Sequence, residues 1–227
     1  IQTKFTPISG QDIDNMPYNP EDPLGKQIED SIASSLCNFT FSGKEPPYLD
    51  AFVLHSPLPE ISQTIAAWRV LESYVPNRIK SLGISNTTLE VLETLHFRMR
   101  IRPSVVQNRF YRETNWENRL RKFCRDEGII FQSFWTLTGN PELSRTPLVF
   151  NFAIELEREG IAAPKALAIY ALVLGLDGIS VLNGTKNKDC MYADLTGLQE
   201  ISRLISGKLS SRWKVWMREF KGIIGEL

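Results

Sequence analysis

Two hydrophobic patterns take turns along the chain. Short apolar runs are followed by longer stretches whose apolar positions recur every three or four residues, and the exchange happens six times. The first pattern predicts strands buried on both faces, the second amphipathic helices packed against them. The strand runs are Ile1–Phe5, Tyr48–His55, Ile79–Asn86, Ser104–Tyr111, Ile129–Leu137 and Ile179–Leu182. Helical spacing links Leu24, Ile28, Ile32, Leu36 and Phe39, then Ile65, Trp68, Leu71 and Val75 before Pro76 closes that helix. It returns at Leu89, Leu92 and Leu95 behind a Thr87 or Thr88 cap, and in Trp116–Glu127 before Gly128. Further helices are predicted over Val149–Glu159, Pro164–Leu176, Asp189–Leu204 and an amphipathic tail, Ser210–Leu227, with Trp213, Trp216 and Phe220.

Strands separated by helices rather than by tight hairpins call for a parallel sheet covered by helices. The polar residues then fall in telling places: Lys4, His55, Ser85 with Asn86, Gln107 with Asn108, and Ser133 all lie toward the C-terminal ends of their strands. Barrels and open parallel sheets both bind ligands at that rim, so the period alone does not choose between them. His55 sits where Ser56-Pro57 stops an apolar strand, whereas His96 lies inside a helical run and is expected to pack. The Thr6–Pro23 stretch is too long for a simple connection and is expected to be functional.

Composition narrows the picture. The 227 residues suit one large domain, taken here as 1–227 with 205–227 as its C-terminal amphipathic helix. Lysine plus arginine equals aspartate plus glutamate at 26 each, so no net field selects nucleic acid or a membrane surface. Cys37, Cys124 and Cys190 are scattered, which argues against a metal site and for a reducing compartment. No apolar run has the length of a membrane span, and a soluble, cytoplasmic protein is expected. Ile1-Gln2-Thr3-Lys4-Phe5 reads as a strand already under way, as if the chain began inside a domain.

An ordered set of segments carries a resemblance. Thr3-Lys4-Phe5, Leu54-His55-Ser56-Pro57-Leu58, Gly83-Ile84-Ser85-Asn86, Val105-Val106-Gln107-Asn108, Gln132-Ser133-Phe134-Trp135-Thr136-Leu137 and Leu182-Asn183-Gly184-Thr185 together resemble the aldo-keto reductases, in particular their fungal-type branch. The resemblance implies a TIM-type (β/α)8 barrel, of which six β/α units are readable here. It also implies NADP, or NAD, as cofactor and an aldehyde or ketone of a small metabolite as substrate. By match, Lys4 tunes the acid of the reaction and His55 orients the carbonyl. Ser85, Asn86 and Gln107 would hold the nicotinamide carboxamide. Ser133, Phe134, Leu137 and Thr138 would lie along the ring and pyrophosphate, and Thr185, Lys186 and Asp194 around the adenosine phosphate end.

The chain departs from the family pattern in three places. Gln132 stands where the family stacks a tyrosine on the nicotinamide, which leaves that task to Phe134 or Trp135. Gly184 and Cys190 stand where it grips a phosphate with lysine and arginine, and Lys186 and Lys188 are the nearby cations. The family's aspartate and tyrosine belong before Thr3, so the first two β/α units are expected to be missing and the standard reduction to be slow or silent. An incomplete barrel also leaves strand edges that favour self-association. The alternative expectation is a reductase-like barrel reused for isomerisation, cyclisation or elimination in secondary metabolism.

Overall fold

In a computed structural model that describes residues 1–40 and 46–226, six strands follow one another in sequence order in a single parallel sheet. They are β1 (Gln2–Phe5), β2 (Leu49–Leu54), β3 (Ile79–Ser85), β4 (Val105–Arg109), β5 (Ile130–Phe134) and β6 (Ile179–Val181). The helices are α1 (Leu24–Asn38), α2 (Ile61–Glu72), α3 (Leu89–Arg98), α4 (Asn118–Asp126), α5 (Pro147–Arg158), α6 (Pro164–Leu174), α7 (Lys188–Ser206) and α8 (Ser210–Ile223). The alternation of patterns therefore reports the architecture correctly. The chain divides into two compact units, Ile1–Gln107 and Asn108–Leu227, whose boundary falls inside β4.

In the first unit, the continuous burial of β2 from Ala51 to Leu54 is what a parallel strand covered on both faces requires. The ladder pairs Lys4 with Val53, Val53 with Gly83 and Gly83 with Val105. Paired residues in a sheet share a face, so Lys4, Val53, Gly83 and Val105 line one face, and two residues further on His55, Ser85 and Gln107 line it again. Gly83 belongs there because a Cβ at this position would come within 2.7 Å of the Val105 carbonyl oxygen. Trp68 anchors α2 to the segment before β4 by donating its Nε1–H to the Ile101 carbonyl at 2.8 Å. His96 is buried in α3 with Phe97 edge-on at 4.9 Å, the packing position its helical context predicts.

The second unit gathers a core around Phe152, with Phe110, Leu148, Leu156, Leu172, Phe220 and Ile224 all nearly or fully inaccessible. The C-terminal helix expected over 205–227 is shorter: α7 runs on to Ser206, α8 spans Ser210–Ile223 and buries Trp216, Met217 and Phe220, and Leu227 lies outside the described residues. Gly225 follows at φ 69 and closes the helix in the left-handed region. Beyond it, Glu226 receives Arg121 at 3.0 Å and Arg125 at 2.5 Å, fastening the tail to α4.

Several predicted boundaries shift by one to three residues, and two of the shifts share one physical reason. The helix expected from Trp116 starts instead at Asn118, because Asn115, Trp116 and Glu117 take φ of 51, 46 and 57. The strand expected from Ile129 to Leu137 stops at Phe134, because Trp135 turns to φ 59. Bulky residues disfavour the left-handed region, so apart from Asn115, which tolerates it, nothing in their identity announced either turn.

Candidate active site

The first unit brings five of the expected residues into one bonded set. Lys4, half-buried on β1, donates its ammonium to the Gln107 side-chain oxygen. Ser85 donates its hydroxyl to the Gln107 carbonyl at 2.7 Å, and the Asn86 amide N–H reaches the same carbonyl at 3.1 Å. Asn86 then donates its side-chain amide to the His55 carbonyl at 2.8 Å and to Ser85 Oγ at 3.2 Å. The Asn86 backbone lies at φ 49, a left-handed conformation that asparagine tolerates better than most residues. That turn, directly after β3, swings its side chain back over the strand end. His55 follows β2, and its own N–H donates to the Phe5 carbonyl at 2.9 Å, so the imidazole is carried by a backbone fixed in the sheet.

Electrostatics agrees with the geometry. Burial lowers the Lys4 ammonium from its ordinary value, because a charge removed from water favours its neutral form. Asn86 spends both side-chain N–H groups on the protein, while its Oδ1 accepts no hydrogen bond among the described residues. That leaves an in-plane acceptor at the strand ends, which suits the N–H pair of a carboxamide.

The long loop after β1 contributes more than its sequence showed. Gln11 and Tyr18 both donate to the Thr6 carbonyl, at 3.0 and 2.7 Å, and the Tyr18 ring packs on Phe5 at 5.4 Å between centroids. These anchors fold the loop into short 3-10 turns and place Gly10 beside the His55 imidazole, where an added Cβ would lie 3.6 Å from its Nδ1. The Tyr18 hydroxyl is committed to a backbone carbonyl, and burial raises its pKa.

In the second unit the expected residues are dispersed. Ser133 is buried, and its hydroxyl meets Thr136 Oγ1 at 3.0 Å and the Ser180 carbonyl at 3.2 Å, a bond set that serves the β5–β6 join. Leu137 packs against the apolar core and Thr138 is exposed. Phe134 and Trp135, the candidates for ring stacking, both face the Arg109 guanidinium, whose carbon lies 5.6 and 4.6 Å from their centroids. Thr185 is tied to Asn183 by its amide at 2.9 Å, Asp194 accepts from the Asn183 side chain, and Lys186 is exposed. At the start of α7, Asn187 caps the amides of Asp189 and Cys190 at 2.8 and 3.2 Å, so two donors that could serve a phosphate are already satisfied.

Arg109 and Asn140 carry roles that the residue pattern did not assign. Arg109 had a visible signal, since it stands two places after Gln107 and leaves β4 on the same face. Asn140, read as part of a turn, is buried and takes the Trp116 Nε1–H at 2.8 Å while donating to the Phe110 and Thr136 carbonyls at 2.5 and 3.1 Å. Sequence alone offers no sign of such a knot. A surface groove of about 590 Å³ beside α5 and α8 holds no comparable chemistry, because Glu155 within it is already paired with Arg158 and Arg212. No group of three or more His, Cys, Asp or Glu among the described residues could hold a metal, and no described helix is long and apolar enough to cross a membrane.

The sequence pattern of the Aldo/keto reductase family matches residues 1–146, well over half of the chain. The chain belongs to that family. The matched stretch contains Lys4, His55, Ser85, Asn86, Gln107 and the residues of β5, while Thr185, Lys186 and Asp194 fall beyond it. Curated relatives include an oxidoreductase of Bacillus subtilis, YtbE, 30% identical over 107 residues, which are 47% of this chain and 37% of the relative. Another is the NAD/NADP-dependent indole-3-acetaldehyde reductase of Schizosaccharomyces pombe, 31% identical over 154 residues, covering 65% of this chain and 54% of that protein. The chain thus spans about half, or less, of the length of the curated relatives it matches. An aldo/keto reductase of Brucella melitensis superposes with a TM-score of 0.63 at 18% identity, covering 89% of this chain and 72% of the other. The parallel sheet with alternating helices is therefore the fold of the aldo-keto reductase (β/α)8 barrel, represented here by six strands.

Proposed function

We propose that this aldo-keto reductase chain serves the reduction of an aldehyde or ketone of a small metabolite with a nicotinamide cofactor, NADPH by preference and NADH as the second choice. The observation that carries the reading is the bonded set Lys4, Gln107, Ser85, Asn86 and His55 in the segment that matches the family. Two names among the similar proteins support it in kind: the Schizosaccharomyces pombe relative is called NAD/NADP-dependent, and one structural neighbour, a Gox0644 variant at 21% identity, is described in complex with NADPH. The segments around Gln107 and Trp135 support a place in the fungal-type branch.

Asn86 Oδ1 would accept from the carboxamide N–H, while the Ser85 and Gln107 contacts hold the asparagine in plane. Bound there, a nicotinamide would supply a hydride to the carbonyl carbon. His55 would direct an imidazole N–H at the carbonyl oxygen as its charge develops. The partly desolvated Lys4 ammonium would stabilise negative charge on the same face of the sheet and depress the pKa of an acid placed beside it. None of the six tyrosines in these residues matches the family's acid, and Tyr18 is bonded elsewhere. We therefore expect the 227 residues alone to turn over slowly, positioned acid catalysis contributing about 10²–10⁴-fold.

Calorimetric titration with NADPH and NADH, followed by loss of NADPH absorbance with test aldehydes, tests the proposal. The expected result is binding with a slow, aldehyde-dependent oxidation. Absence of binding at about millimolar cofactor, a level at which a ΔG of only about −4 kcal/mol would be seen, would overturn it.

A further inference from the structure

The loop between β1 and α1 is long for a strand-to-helix connection, which commonly takes about two to six residues. It is nevertheless clamped along its length. The Thr6 carbonyl accepts from both Gln11 and Tyr18, Asp12 accepts from the Asp14 amide at 3.2 Å and the Asn15 side chain at 2.8 Å, and buried Gln27 of α1 donates to the Pro20 and Asp22 carbonyls at 3.1 and 2.7 Å. Side-chain bonds at its start, middle and end thus fix a backbone that has only short 3-10 turns of its own. A plain connection does not need them.

What the clamps hold in place is Gly10. Its amide closes a turn on the Pro7 carbonyl at 2.9 Å, and the side chain it lacks would point at the end of β2: a Cβ there would stand 3.6 Å from both Cε1 and Nδ1 of His55 and 3.0 Å from Thr6 Cγ2. Its φ lies outside the left-handed region, so backbone conformation does not call for glycine at this position. Space does. The gap is walled by the Thr6 methyl and one edge of the imidazole, and it opens to solvent, since Gly10 is exposed and Thr6 and His55 are only partly buried.

We propose that Gly10 is a specificity-determining residue: it keeps open an apolar gap beside His55 that takes the second carbon substituent of a ketone. An aldehyde has only hydrogen on that side of its carbonyl carbon and leaves the gap empty, whereas a ketone fills it with a small apolar group against the Thr6 methyl and the Gly10 methylene. The substrate class is then ketones with one small substituent. The inference deepens the carbonyl-reduction reading and rests on it for the word substrate, although the gap can be tested separately, and every residue it uses belongs to the first unit.

Two measurements on the full chain separate the gap from the reaction. Diethyl pyrocarbonate modifies accessible imidazoles, and of the two histidines His96 is buried, so ultraviolet difference absorbance reads His55. The wild-type chain should gain one modified histidine, several-fold more slowly in Gly10→Ala and more slowly still in Gly10→Val. An inert His55 in the wild-type chain, or an unchanged rate in Gly10→Val, overturns the proposal. Acetophenone and benzaldehyde differ by one methyl on the carbonyl carbon, so the ratio of their kcat/KM values reads the same gap in catalysis. Gly10→Ala is expected to lower kcat/KM for acetophenone at least about tenfold more than for benzaldehyde, the usual weight of a small apolar group in a fitted pocket. Thr6→Ser removes the methyl wall and should shift the preference the other way, toward propiophenone, which keeps the proposal open to refutation where a Gly10 variant does not fold. Equal losses with both carbonyls in a folded Gly10→Ala chain overturn it, as does an unchanged preference in Thr6→Ser. Gly10-dependent modification of His55 without reduction of any of these carbonyls would leave the gap standing and remove the carbonyl-reduction reading instead.

Discussion

The strand ends of the two units use their polar side chains differently. In the first, Lys4, Ser85, Asn86 and Gln107 bond to one another and to the backbone that carries His55, so each group fixes the next. In the second, Ser133 and Asn140 are spent on joining strands and turns, and the group left over, Arg109, is held by aromatic rings rather than by acceptors. A polar residue at a strand end is therefore not yet a site. What separates a site from a structural tie is where its donors and acceptors go, and whether any of them still faces outward.

The comparison breaks most visibly at Lys4. Lys4→Met should lower aldehyde-dependent turnover by about 10²-fold or more while calorimetric cofactor binding changes little, if the ammonium that donates to Gln107 serves charge stabilisation as proposed. Unchanged turnover would place the chemistry elsewhere. The next largest effect belongs to the second unit's tie: Asn140→Ala orphans the Trp116 N–H and two carbonyls, and should cost about 3 kcal/mol in denaturant unfolding. A loss of only a few tenths would mean that the knot is incidental.

Ser85→Ala sits between these roles. It removes the 2.7 Å bond to the Gln107 carbonyl and one support of Asn86, and should cost about 1 kcal/mol of stability with a several-fold weaker cofactor titration. Weaker titration with unchanged stability would sharpen the view that the first unit's bonds serve orientation. The smallest effect concerns thiols. Burial pushes the Cys124 thiol up to about 12, whereas Cys37 and Cys190 are exposed. Since a raised thiol pKa keeps the reactive thiolate absent below that value, a native chain at neutral pH should titrate two thiols, and three once unfolded.

Much of the fold is legible in the sequence. Periodicity gave the alternation of strands and helices, and Pro57, Pro76 and Gly128 marked real ends, because prolines and glycines act through backbone chemistry that needs no tertiary context. The first unit's site was legible for the same reason: Lys4, His55, Ser85 and Gln107 share a face by the two-residue repeat of a strand. The second unit was harder to read. The left-handed stretch at Asn115–Glu117 and the turn at Trp135 go with the tertiary bonds of Trp116 to Asn140 and of Gly139 to Trp135, and at Trp116, Glu117 and Trp135 residue preference points the other way. Arg109 could be placed at its strand end, but its lack of an acceptor is a property of its neighbours.

Trp135 offers an optical consequence. Of the five tryptophans, Trp68, Trp116 and Trp216 are buried and Trp213 is partly so, while Trp135 is 52% exposed. Acrylamide or iodide quenching should therefore divide the intrinsic emission into a shielded majority and one accessible, red-shifted component. That component reports from the end of β5, where the Arg109 guanidinium stacks on the ring, so any change at this strand end is readable without an engineered dye.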